Sequence, residues 1–149
     1  MLADAFFAFA HYAALIMMVG ALFGETYLLR LPISAQTIPL LARIDLAYGT
    51  SAGVLIAAGL GRIFFGLKDS SFYFGSHAFW GKMAVFLAIG LISALPTIKY
   101  LRWRRALNAD AAFVPPAAEV KRVRLLVRVQ LGLLGLVVLF AVMMARGIG

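Results

Sequence analysis

The stretch AFFAFAHYAALIMMVGALFGETYLL, residues 5–29, decides how the chain is read. It sets one histidine and one glutamate in an apolar run long enough to cross about 30 Å of hydrocarbon as a helix. Periodicity alone does not choose between helix and strand here. The solvent does, because hydrocarbon offers backbone N–H and C=O groups no partner and a helix pairs them internally. Similar runs follow at 45–65, 79–100 and 123–145. The expected fold is therefore all-α: an integral membrane four-helix bundle, up-and-down, in a single domain covering 1–149.

Composition agrees with that expectation. Of 149 residues, 64% are hydrophobic and 13% charged, with a mean hydropathy of +0.97, against about half apolar and a quarter charged in a soluble domain. The first run lacks a basic start and carries Asp4, so it reads as a retained span and not as a cleaved signal. A net charge of +8 invites a nucleic-acid partner, but the cations follow the membrane instead of covering a soluble face, which argues against one. Arg30 and Arg43 flank the first loop, and Lys99, Arg102, Arg104, Arg105, Lys121, Arg122, Arg124 and Arg128 crowd the third. The positive-inside rule then places those loops in the cytoplasm and both termini on the outer, non-cytoplasmic side. Zero cysteines exclude disulfides, thiolate metal sites and thiol catalysis. P-loop, dinucleotide-binding, HExxH and CxxC patterns do not occur.

Between the spans, Pro32 and Pro39 are expected to stop the helix in a first loop of roughly 31–43. The second loop carries Lys68, Asp69, Ser70 and Ser71, then an aromatic run, Phe72, Tyr73, Phe74, Phe79 and Trp80, suited to a membrane interface or a short surface lid. Loop three reads as the longest, with Pro115 and Pro116 between basic flanks that anionic lipid attracts. Gly20 with Gly24, and Gly49 with Gly53, are spaced for close helix approach. Ser93 and Pro96 predict a local bend.

His11, Arg62, Lys82 and Arg146 each stand at the same end of a span, and ionisable groups at membrane depth are costly. His11 lies ~9 Å inside its run. Lys82 sits at matching depth beside Trp80, and a lysine there needs an anion or an aromatic face. Only Asp4 and Asp69 are available at that end to offset the cations. Such a pocket suits an apolar plate with carboxylate arms, as in haem or a porphyrin, with the imidazole on iron and the cations on propionates. Met17, Met18, Met143 and Met144 lie within spans; Met18 shares a face with His11 and Glu25, and His11 with Met18 would make a soft site for copper(I). At the opposite end Glu25, Arg30, Arg43, Asp45, Tyr48 and Arg128 are expected to pair and fix helix register, with Glu25 as a residue that could titrate.

The segments HYAALIMMVGALFGE (11–25), DLAYG (45–49), FYF (72–74) with FWGK (79–82), PTIKYLRW (96–103) and MARGIG (144–149) resemble the bacterial membrane-protein family catalogued as domain of unknown function 2214, across essentially the whole chain. That resemblance implies four spans in a bacterial inner membrane. His11 with Gly20, and Trp80 with Lys82, also resemble elements of the HemJ-type protoporphyrinogen oxidases, which bind haem. The asparagine–glutamate–proline stretch before that family's last helix has no counterpart here.

The leading expectation is a haem-binding or porphyrin-handling membrane protein, with haem b on His11 and Lys82, Arg62, Arg146 and Trp80 around it. As a haem-dependent oxidoreductase acting on a porphyrinogen, it would use Lys82 catalytically, as a proton acceptor, and pass electrons to a quinone. The alternatives are a small-solute or ion transporter, which needs a homo-oligomer; a copper protein using His11 and Met18; and a structural or assembly subunit.

Overall fold

A computed structural model of the protein describes residues 1–67 and 69–148. Four long helices, α1 (Leu2–Leu28), α2 (Thr37–Phe65), α4 (His77–Ala109) and α5 (Ala117–Ala145), are joined by short connections, and α3 (Ser70–Phe74) is a single turn between α2 and α4. All four are long and apolar enough to cross a membrane. Their surface is the inverse of a soluble bundle: Phe9, Ile16, Leu87, Leu91 and Leu139 all point outward, toward what lipid would cover. Helices α1 and α2 pack along their lengths, as do α4 and α5, and lesser α1–α5 and α2–α4 contacts close the square.

Alternating steps of three and four residues set the face each helix turns inward. On α1 the stripe runs His11, Ala14, Met18, Ala21, Glu25, Leu28; on α5 it runs Val120, Val123, Val127, Gln130, Leu134, Val137. Helix α2 continues the pattern from Ile38 through Asp45, Tyr48 and Leu55 to Gly59 and Arg62, and α4 from Phe79 through Lys82, Ile89, Pro96 and Tyr100 to Trp103. Alternating three-four spacing is the heptad pattern that bundle seams use. The polar residues on it are held inside the bundle by the packing of their apolar neighbours.

Several local expectations change. Pro39 does not end a helix; it sits in the first turn of α2, where a missing N–H costs nothing. Helix α4 passes through Pro96 and runs on to Ala109, so loop three is only 110–116 and most of its cations stand on helix extensions. It is not the longest connection, since 29–36 separates α1 from α2. Asp69 caps α3, accepting from the Ser71 amide at 2.9 Å, and its Ser71 bonds hold the carboxyl below the usual carboxylate range. Lys68 lies outside the described residues.

Close helix approach is not at the glycine pairs singled out by spacing. A Cβ on Gly20, Gly49 or Gly53 would meet nothing within 4 Å, and one on Gly24 would only touch Ile44 at 3.4 Å. The tight positions are Gly61 of α2, where a Cβ would run into the Phe7 ring of α1, and Gly81 of α4, where one would fall 2.9 Å from the Phe140 ring of α5. Gly61→Ala is therefore expected to lower stability by about 1–3 kcal/mol through overpacking, seen as a lower melting temperature by circular dichroism in detergent. Gly20→Ala should leave the melt unchanged.

Candidate functional site

At the end of the bundle carrying the termini, the ring of His11 lies between α1 and α2, its Nδ1 3.0 Å from the Leu55 carbonyl oxygen. A carbonyl only accepts, so Nδ1 carries the proton and donates, leaving the Nε2 lone pair as the outward-acting atom of the ring. Gly59, one turn beyond Leu55, gives the ring its room: a Cβ there would come within 3.3 Å of His11 Cε1. Leu55 and Gly59 were not among the residues read from the sequence. Backbone carbonyls and bare backbone leave no side-chain signature.

Lys82 of α4 and Arg62 of α2 both act electrostatically on His11. The aromatic face beneath Lys82 is that of Phe79, with Nζ 5.4 Å from the ring centroid; residues three apart on a helix are neighbours, whereas two apart are not. Trp80 instead points outward, and its Nε1 donates to the Phe74 carbonyl at 3.0 Å. It ties α3 to α4 and does not line the site. Arg62 lies 5.7 Å over the Tyr12 ring, and its Nε is buried with no partner among the described residues. The acids expected to offset these cations are engaged by backbone: Asp4 accepts from the Leu67 amide at 3.4 Å and Asp69 caps α3. Arg146 caps α5 with its amide and is exposed, and it makes no contact with His11 among the described residues. Met18 is fully enclosed in the apolar core, ~10 Å along the same helix from His11. No group of three or more histidine, aspartate or glutamate side chains converges as a metal cluster among the described residues.

Toward the opposite end, Glu25 and Asp45 are buried, 1% and 8% exposed. Among the described residues neither pairs with arginine. Tyr100 donates its hydroxyl to Glu25 Oε2 at 3.0 Å, and Thr97 donates to Asp45 Oδ1 at 2.9 Å. Arg30, Arg43 and Arg128 are exposed, because they fall off the inward stripes. The ion pair found among the described residues, Lys99 Nζ with Glu119 Oε1 at 3.0 Å, joins α4 to α5 instead, and Trp103 Nε1 donates to the same carboxylate at 3.1 Å. Glu25 Oε1 and Gln130 Oε1 are buried without partners among the described residues. Tyr100, Thr97 and Gln130 escaped the sequence reading, although the seam spacing includes Tyr100 and Gln130.

The chain belongs to the family described as "Predicted membrane protein (DUF2214)", whose model matches residues 3–149. No curated protein and no solved structure matches it.

The Glu25–Tyr100 bond crosses the bundle diagonally, so its loss should loosen both helix pairs. Tyr100→Phe is expected to destabilise by about 1–3 kcal/mol, the cost of an orphaned buried acceptor. Adding Glu25→Met should recover part of that loss, because an apolar pair has no unmet bond. Unfolding titrations in mixed detergent measure both.

Proposed function

We propose that the protein binds haem or a porphyrin in the bacterial inner membrane, at the end of the bundle centred on His11. The observation that carries this reading is the His11–Leu55 bond, which fixes the ring and leaves Nε2 as a lone-pair donor. Histidines that bind metal are oriented in just this way by a carbonyl on the other nitrogen. Lys82 and Arg62, engaged with aromatic rings and not with carboxylates among the described residues, have the charge to hold propionates. Arg146 and Trp80 drop out of the site, and Phe79 and Tyr12 replace Trp80 as its aromatic surface. Bound haem would supply one-electron redox chemistry. Lys82 would orient a porphyrinogen by its carboxylates and exchange a proton at Nζ, with a quinone as the electron acceptor.

Purified protein titrated with haem in mild detergent should develop a Soret band. His11→Ala should abolish it, Lys82→Met should weaken binding about tenfold for one lost charge-assisted contact, and Arg146→Gln should change nothing. The absence of a band with excess haem, or an unaltered band in His11→Ala, contradicts the proposal.

A second reading rests on a different observation, the buried carboxyls of Glu25 and Asp45, whose partners among the described residues are the hydroxyls of Tyr100 and Thr97. Carboxyls at membrane depth mark proton and ion routes, and an oligomer of this chain could carry one. Proton flux into proteoliposomes should then fall in Glu25→Gln and in Asp45→Asn. Flux that survives both substitutions removes this reading.

A further inference from the structure

Between α1 and α5, at the basic end of the bundle, lies an open groove of about 490 Å³. Its walls are apolar, Phe23 and Tyr27 on α1 and Leu131 on α5, and its rim carries Arg30 and Arg128. Phe23 and Tyr27 are exposed, like Ile16 and Leu136 farther along the same helices, so the groove continues into the surface that faces lipid. Neither arginine has an ion pair or side-chain hydrogen bond among the described residues. Thr26 lies beneath these walls. Thr26 lines the groove, is 8% exposed, and its Oγ1 has no partner among the described residues.

Two unpaired guanidinium groups on one apolar groove call for an anion with several oxygens, which arginine grips bidentately. The apolar walls call for a hydrocarbon chain attached to it. We infer that the α1–α5 groove is a binding site for an anionic phospholipid, its phosphate held by Arg30 and Arg128 and an acyl chain lying against Phe23, Tyr27 and Leu131. Basic pockets between membrane helices recognise acidic head groups in this manner. Gly132 leaves the α5 side of the groove open, since a Cβ there would meet nothing within 4 Å.

The openness at Gly132 supplies a test that does not touch charge. The full chain, purified in detergent with phosphatidylglycerol or phosphatidylcholine added, is examined by native mass spectrometry. Phosphatidylglycerol should be retained in preference by at least about tenfold, the loss expected for a charge-assisted contact. The Arg30→Gln/Arg128→Gln double variant should lose that preference. Gly132→Leu should lose retention with both arginines in place, and its unchanged melt would show that it folds. Arg104→Gln/Arg105→Gln, on the exposed end of α4, should behave as the parent. Preference that persists in the Arg30/Arg128 variant, or that disappears in the Arg104/Arg105 variant, overturns the site. Displacement of the lipid by inorganic phosphate would assign it to free phosphate and overturn the lipid assignment.

Discussion

Hydrocarbon gives no hydrogen-bond partner, and every polar group on this chain's spans is arranged under that constraint. Backbone groups meet it by forming helices. Side chains meet it on the inward seams, where a carbonyl receives His11, a tyrosine hydroxyl reaches Glu25 and a threonine hydroxyl reaches Asp45. Among the described residues the buried groups left over are Glu25 Oε1, Thr26 Oγ1, Arg62 Nε, Arg124 Nε and Gln130 Oε1.

The two ends of the bundle answer the constraint differently. At one, cations rest on aromatic faces around a histidine; at the other, carboxyls are shielded by hydroxyls while the arginines face outward. Charge is thus kept from neutralising itself across the interior. His11 and Glu25 share the α1 seam ~21 Å apart, too far for direct interaction, so they stand toward opposite ends of the bundle.

Depth along a span was legible in the sequence, and rotation about the helix axis was not. The four helices followed from length and hydropathy, and His11, Lys82 and Arg62 were found at a common depth. Arg146 and Trp80 share that depth but point outward. Glu25 and Asp45 share a level with Arg30, Arg43 and Arg128, yet only the carboxyls turn inward. A membrane helix is apolar on every side, so hydrophobicity does not mark its buried face as it does in a soluble helix. The three-four spacing of the seam marks it instead, joining Phe79 to Lys82 and Glu25 to Met18. Contacts made by backbone, such as Leu55 to His11, and clearances such as that at Gly61, appear only when helices are docked.

The central claim is that His11 is held as a lone-pair donor at Nε2. Nitrogen-15 NMR of histidine-labelled protein in detergent micelles, with His77→Gln removing the second histidine, reads the tautomer directly. The account predicts a protonated Nδ1, an unprotonated Nε2, and a selective change at Nε2 when haem is added. A proton on Nε2 in the free protein, or a haem response that leaves Nε2 untouched, would contradict it.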